Sequence, residues 1–121
     1  MQLPGVAHAA ATKTSNLRGK SAIVTGSTSG IGLGIARAFA AAGMTVTLNG
    51  FGDNAEIERT RTEIEKTFGV KVAYSAADMT EPEEIAGMVA EATKTFGKVD
   101  VLVNNAGIQH VEAIETFPIA K

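Results

Sequence analysis

The sequence predicts an α/β fold in which a doubly wound parallel sheet carries helices on both of its faces. Four short, nearly continuous apolar segments alternate along the chain with three longer segments of helical length. Glycine, turn or capping residues separate each helical segment from the strand before it. Crossovers between parallel strands are almost always right-handed. The expected strand order is 3-2-1-4, the first part of a doubly wound sheet.

The composition of the 121-residue chain is that of one globular domain, with 45% hydrophobic residues, a formal net charge of -2 and no cysteine. The near-balanced charge argues against nucleic acid or an anionic membrane surface as a partner. Without cysteine there can be no disulfide or Cys-ligated metal, and two histidines are too few for a multi-histidine metal centre. No window approaches the ~20 apolar residues of a membrane span, so we expect a soluble, cytoplasmic protein.

The first residues differ in composition from the rest of the chain. Residues 1–18 contain an alanine-rich patch and no acidic residue, and only Lys13 and Arg18 supply positive charge. A mitochondrial-type presequence is one interpretation of this pattern, but a flexible, solvated tail is favoured because chain ends are often disordered. The folded part is therefore expected at residues 19–121.

The first strand–helix unit begins with Ser21–Thr25, a short β-branched segment that is typical of a buried strand. A helix is predicted from Gly30 to Ala42, and Gly43 supplies its stop signal. The apolar residues at helical spacing in this segment are Ile31, Ile35, Ala38 and Phe39.

The second unit has its strand at Met44–Leu48, followed by the turn residues 49–53. Asp53 and Glu56 have the spacing of a capping box, which predicts a helix that runs to about Phe68.

The third unit begins with a predicted strand at Val70–Tyr74. The capping-box pattern recurs from Thr80, with Pro82 in the first turn, and predicts a helix that ends near Phe96. A fourth strand is predicted at Val99–Asn104. The residues expected on the buried side of the helix are Ile85, Met88, Val89 and Ala92.

Four strands are fewer than the six of a complete Rossmann-type sheet. The fourth strand would then be a hydrophobic edge with no further partner, which is an aggregation hazard. We therefore expect residues 19–121 to be the N-terminal part of a dinucleotide-binding Rossmann domain in a longer protein, with an incomplete sheet.

The glycine-rich loop between the first strand and the first helix carries the chemical signal. In residues 25–32, Gly26 allows a sharp turn, Gly30 allows backbone to approach a ligand, and Gly32 allows close packing of the helix. The loop is not a P-loop, because no Gly-Lys-Ser/Thr follows. A turn needed only for chain reversal is the alternative, but phosphate binding at the helix N-terminus is favoured. Hydroxyl donors are present at Ser27, Thr28 and Ser29.

Three motifs in this order resemble the short-chain dehydrogenases/reductases. The family's Thr-Gly-x-x-x-Gly-x-Gly motif is matched at residues 25–32, and its Asn-Asn-Ala-Gly motif at residues 104–107. Asp78 matches the acidic residue that receives the adenine amino group in the family. Two stretches, 48–53 and 104–110, are similar to the D-3-hydroxybutyrate dehydrogenases of bacteria.

The resemblance implies a nicotinamide dinucleotide site at the carboxyl edge of the sheet, where the strand order reverses. Asp78 has a second interpretation as a turn residue, Asn104 and Asn105 as caps of the strand end, and Met79 as a core residue. The candidate cofactor-binding residues are Gly26, Thr28, Ser29, Gly30, Ile31, Gly32, Phe51, Asp78, Met79, Asn105, Ala106 and Gly107.

The segment after the second strand favours NAD over NADP. No lysine or arginine lies in residues 49–58, and the first base, Arg59, is inside the next helix. A 2′-phosphate would require a base here. Asp53 has the spacing of a ribose ligand but fits a helix cap equally well, whereas Phe51, in the turn, is placed to lie against the adenosine.

The resemblance also implies a catalytic Ser and a Tyr-x-x-x-Lys pair, in which the Lys lowers the pKa of the Tyr. The only tyrosine is Tyr74, and Asp78 stands four residues later, so we expect no catalytic residue in this chain. The resemblance implies that Gln109 binds the carboxylate of a 3-hydroxy acid, and a surface glutamine is the alternative.

Two functions are compatible with these residues. One is part of an NAD-dependent dehydrogenase that oxidises D-3-hydroxybutyrate to acetoacetate when full length, as a homotetramer by resemblance, and is inactive as this chain alone. The other is a non-catalytic dinucleotide-binding or truncated assembly module. A Tyr-x-x-x-Lys sequence downstream in the same reading frame would distinguish the two.

Overall fold

A computed structural model of the protein describes residues 17–105. These residues form one four-stranded sheet and three helices, and the strand order is β3-β2-β1-β4 with every pair parallel. The predicted fold class and strand order are thus confirmed, with element ends shifted by one or two residues. The elements are β1 (Ser21–Val24), α1 (Gly30–Ala41), β2 (Thr45–Asn49), α2 (Asn54–Phe68), β3 (Val72–Ser75), α3 (Pro82–Phe96) and β4 (Val101–Val103).

The helices cover both faces of the sheet, and alternate residues of the strands point to opposite sides. In β1, Val24 belongs to a core with α1 and α2, whereas Ile23 packs with Met88 and Ala92 of α3. Each strand pair is held in one register, in which Val24 lies opposite Leu48 and Val103. The carboxyl ends of all four strands consequently meet at one edge.

The buried face of α1 differs from the prediction. Ile31 is 76% exposed and Ala38 is exposed, whereas Gly32, Ala36 and Ala40 are the buried positions. Small residues occupy the buried line of the helix, and at Gly32 a Cβ would lie 2.2 Å from the Gly26 carbonyl oxygen. The larger apolar side chains are partly buried and pack against the same core. Those residues are Leu33, Ile35 and Phe39.

The predicted capping box at Thr80 is wrong. The N-cap of α3 is Glu81, which makes no side-chain cap bond, and the Thr80 hydroxyl donates to Asp78 Oδ1 at 2.7 Å. A local Asx-type turn therefore uses the hydroxyl that a cap would need. Pro82 occupies the first turn as predicted. Ile85, which was expected on the buried side of the helix, is only half-buried.

The capping of α2 agrees with the sequence. The Asp53 carboxylate accepts a hydrogen bond from the Glu56 N–H at 3.0 Å, and Gly69 ends the helix at a φ of 69°. Of the two interpretations of Asp53, the helix cap is the one that its geometry supports.

Candidate functional site

The glycine loop leaves β1 in a conformation that requires glycine at two positions. Gly26 and Gly30 have φ values of 60° and 62°, which side chains rarely adopt. A Cβ at Gly32 would lie 2.2 Å from the Gly26 carbonyl oxygen and 2.6 Å from Asn105 Nδ2. At Gly30, in contrast, no atom of the described residues lies within 4 Å of such a Cβ. These positions agree with a turn at Gly26 and close packing at Gly32, while ligand access at Gly30 stays a prediction.

The three hydroxyls of the loop have different surroundings. Ser27 is fully buried, and its hydroxyl donates to the Val24 carbonyl at 2.6 Å and accepts from the Asn49 N–H at 3.0 Å. The expectation that Ser27 offers its hydroxyl to a phosphate is therefore wrong, because the fold uses this group. Thr28 is half-buried, and Ser29 is exposed and serves as the N-cap of α1 without a side-chain cap bond.

The first turn of α1 contains no acidic residue. The Leu33 N–H donates to the Ser29 carbonyl in the first backbone hydrogen bond of the helix. The N–H groups of Gly30, Ile31 and Gly32 precede this bond and therefore point out of the helix end. The other two helices carry acids in the first turn, Glu56 in α2 and Glu83 with Glu84 in α3. The positive end of the α1 dipole, beside the glycine loop, therefore has no acidic residue in its own first turn to compensate it.

Asn49 is the last residue of β2, although the sequence predicted it to lie in a turn. It is 2% exposed, and its Oδ1 accepts from the Gly26 N–H at 3.2 Å. Its Nδ2 donates to the carbonyls of Ser75 (3.1 Å) and Ala77 (3.0 Å). One amide side chain thereby fixes the glycine loop to the segment after β3. A polar residue directly after an apolar strand was the only available signal, and turn formation explained it equally well.

The turn between β2 and α2 lies against the glycine loop. Phe51 at its tip is 67% exposed, and its carbonyl accepts from the Thr28 hydroxyl at 3.3 Å. The Gly50 carbonyl accepts from the Tyr74 hydroxyl at 2.5 Å. An exposed aromatic ring is thus presented next to the loop by backbone that is bonded on two sides.

Asp78 and Met79 follow β3 at the same edge. Asp78 Oδ1 accepts from both the Thr80 N–H (2.9 Å) and the Thr80 hydroxyl (2.7 Å). These bonds, the backbone one first, hold the pKa of Asp78 below its ordinary value, so the carboxylate is charged at neutral pH. The turn interpretation of Asp78 is what the hydrogen bonds show, while both bonds leave Oδ2 without a partner among the described residues. Met79 packs beside Ile23.

The end of β4 is bonded to the glycine loop. The Thr25 hydroxyl donates to Asn104 Oδ1 at 3.2 Å, and Asn105 Nδ2 donates to the Gly26 carbonyl at 3.0 Å. Asn105 is 3% exposed, so its side chain braces the loop. The remaining candidates, Ala106, Gly107 and Gln109, lie outside the described residues.

Between residues 17 and 105 no cluster of three or more potential metal-ligating side chains is present. Nor is any helix in this part of the chain long and apolar enough to cross a membrane. What the fold brings together is the glycine loop, the Phe51 turn, the Asp78 segment and the end of β4, all at the carboxyl edge where the strand order reverses. Ligands bind in this position in open α/β sheets.

The fold and this edge define a doubly wound α/β protein with a glycine loop at its switch point. A family model described as short chain dehydrogenase matches residues 20–121, and the chain belongs to that family. It is 54% identical over 103 residues to D-beta-hydroxybutyrate dehydrogenase of Cupriavidus necator, across 84% of this chain and 39% of that protein. The protein of the same name from Rhizobium meliloti is 52% identical over 100 residues, 83% of this chain and 39% of its own length.

A solved structure gives the same picture of the fold. L-sorbose reductase from Gluconobacter frateurii, complexed with NADPH and L-sorbose, matches with a TM-score of 0.68 at 39% identity. The match covers 74% of this chain and 34% of that one. The chain thus spans about 39% of the length of the curated relatives named above.

Proposed function

We propose that this chain forms the cofactor-binding part of an NAD-dependent oxidoreductase of the short-chain dehydrogenase type. The observation that carries the proposal is the N-terminus of α1, which has no acid in its first turn and no side-chain cap, and which opens directly from the glycine loop. Free N–H groups and a helix dipole at one point are a seat for an anion such as pyrophosphate. Membership of the family supports the dinucleotide as the anion's source.

Each candidate residue has a role in this proposal. The N–H groups of Gly30, Ile31 and Gly32 would hold the pyrophosphate, with the hydroxyls of Thr28 and Ser29 beside them. Asn105, Ala106 and Gly107 would line the ribose of the adenosine, next to the loop that Asn105 braces. The adenine amino group would donate to Asp78, whose second oxygen is available, and Met79 would lie beside the ring.

NAD is preferred over NADP because the segment that would face a 2′-phosphate has no positive charge. Residues 49–58 contain no lysine or arginine, and the groups at the turn are the carbonyls of Gly50 and Phe51. A phosphate dianion at this point would have no charged donor to replace its water. L-sorbose reductase from Gluconobacter frateurii is complexed with NADPH, so the preference for NAD rests on this turn and not on that comparison.

The substrate proposal rests on the similarity to D-beta-hydroxybutyrate dehydrogenases. We propose oxidation of D-3-hydroxybutyrate to acetoacetate by the full-length, cytoplasmic enzyme, a homo-oligomer by family resemblance, with Gln109 donating its amide hydrogens to the substrate carboxylate. The bound cofactor would accept the hydride. The hydroxyl of the only tyrosine, Tyr74, is engaged with Gly50, so we expect the acid–base residue elsewhere and no turnover by this chain alone.

The experiment that tests the proposal is a fluorescence titration of the protein with NADH and, separately, with NADPH. We expect saturable binding of NADH and affinity for NADPH at least ten-fold weaker, because bringing a 2′-phosphate against this turn without a donor costs at least the roughly 1–3 kcal/mol of an unpaired polar group. Equal affinities for NADH and NADPH would refute the preference for NAD but would still support dinucleotide binding. A failure to bind either compound would refute the proposed function.

A further inference from the structure

The turn that presents Phe51 has a conformation fixed by more than its two glycines. Gly50 and Gly52 have φ values of 150° and 152°, which L side chains rarely adopt. A Cβ on Gly50 would lie 2.7 Å from the Thr28 hydroxyl oxygen. The turn therefore lies in direct contact with the glycine loop, and only glycine permits this contact.

Two hydroxyls from different elements hold this turn. Thr28 of the glycine loop donates to the Phe51 carbonyl at 3.3 Å, and Tyr74 of β3 donates to the Gly50 carbonyl at 2.5 Å. Tyr74 lies opposite Leu48 in the sheet register and packs against the core, so its hydroxyl has a fixed position.

The purpose of this restraint is not burial of Phe51, whose side chain is 67% exposed. An exposed ring contributes little to folding, while fixing a turn costs conformational entropy. A restrained turn with an exposed ring is useful when a flat ligand packs on that ring, because the entropy is then lost before binding. The neighbouring glycine loop supplies the other half of such a ligand's site.

We infer that Tyr74 is a positioning residue for the adenosine half of the cofactor, and that it acts by holding the Gly50 carbonyl so that the Phe51 ring stands ready for the nucleoside. The inference rests on the proposed function. It gives the only tyrosine of the chain a role that has nothing to do with proton transfer.

The test compares Tyr74→Phe with the unchanged protein in titrations with NADH and with AMP. Removal of one hydroxyl is expected to weaken both ligands by the same factor, about five-fold, since AMP contains the adenosine half only. The ring stays in the core, so a thermal melt should show little change. Thr93→Val is the matched control, because it removes a hydroxyl that donates to Val89 within α3, far from the turn, and should leave both affinities unchanged.

A double-mutant cycle separates positioning from a merely structural role. If Tyr74 acts through the Phe51 ring, Tyr74→Phe should cost no further affinity in a Phe51→Ala background. Unchanged NADH affinity in Tyr74→Phe, loss of NADH but not AMP affinity, or additive effects in the cycle would each overturn the inference alone. No NADH binding by the unchanged protein would overturn the proposed function and this inference with it.

Discussion

The residues at the carboxyl edge of the sheet fall into two groups, buried polar residues that stabilise the fold and exposed apolar residues that a ligand can contact. Asn49, Ser27 and Asn105 are nearly or fully buried and use their polar groups to connect the glycine loop to β2, β3 and β4. Buried polar groups must be satisfied, so these side chains are committed to the fold. Phe51 and Ile31, in contrast, are large apolar residues that stay exposed beside the loop. Exposed apolar residues next to free N–H groups are where a ligand can gain contact.

At Phe51, substitution by arginine should change the cofactor preference. Phe51→Arg would place a guanidinium where a 2′-phosphate would lie, and a new charge-assisted contact should raise NADPH affinity by about ten-fold. Fluorescence titration with NADPH measures this. Phe51→Leu, which removes the ring without adding charge, should give no such gain. Gly52 is less suited to the change, because its φ of 152° would strain any side chain. Unaltered NADPH affinity in Phe51→Arg would show that the 2′-position lies elsewhere.

The role of a residue could be predicted only where the local sequence reveals it. Gly26, Gly30 and Gly32 could be assigned from spacing, since backbone conformation and close packing demand glycine. The roles of Asn49 and Tyr74 could not, because their partners are 23 or more positions away along the chain and only the sheet brings them together.

Among the elements, α1 differs from α2 and α3 at its start. The first turns of α2 and α3 contain glutamates that complement the helix dipole, and the first turn of α1 contains none. Each missing acid costs a helix roughly 0.3–1 kcal/mol. The most direct reason to leave this end bare is that an anionic ligand supplies the charge.

An acid at Ile31 should therefore stabilise the protein and weaken binding. Ile31→Glu places a carboxylate in the first turn of α1, where it should raise the free energy of unfolding by about 0.3–1 kcal/mol. The same charge repels pyrophosphate and should lower NADH affinity by ten-fold or more. Urea unfolding and NADH titration measure the two effects. Ile31→Gln is the control, because glutamine has the size of glutamate without its charge, and it should change neither the free energy of unfolding nor the NADH affinity by much. Normal NADH affinity in Ile31→Glu would contradict a phosphate at this helix end.

The attachment of β4 to β1 should depend on pH. Asp100 accepts from the Ser21 N–H at 2.9 Å, and this bond, with smaller contributions from Lys98 and Lys20, holds the pKa of Asp100 below its ordinary value. A lowered folded-state pKa contributes stability that is present above the ordinary carboxyl pKa and is lost as pH falls through the lowered value.

Replacing Asp100 by asparagine removes this contribution. The stability difference between the unchanged protein and Asp100→Asn should be largest near pH 7 and should shrink below about pH 4. Urea midpoints at pH 7, 5 and 3 would show the trend. Glu91→Gln on the exposed face of α3 controls for the change of net charge. A difference that stays constant across this range would exclude an ionised Asp100 as its cause.

The parallel sheet as a whole was predictable because strands and helices alternate along the chain. The strand order 3-2-1-4 was expected because it is that of a doubly wound dinucleotide-binding sheet. The wrong predictions concerned which face of α1 is buried and which residue caps α3. The buried line of α1 runs through Gly32, Ala36 and Ala40, where hydrophobicity is low and close packing decides. Thr80 was given to a helix cap because spacing cannot show that Asp78 takes its hydroxyl first.

For the molecule as a whole, the central claim is that a dinucleotide binds across the carboxyl edge with its pyrophosphate at the start of α1. Titration of the ¹⁵N-labelled protein with NAD⁺, followed by amide chemical shifts, tests this most directly. The account predicts the largest shifts at Gly30, Ile31 and Gly32, with further shifts at Phe51 and Asp78. Shifts concentrated at the opposite edge of the sheet, near Gly69 and Gly97, or no shifts at saturating NAD⁺, would contradict it.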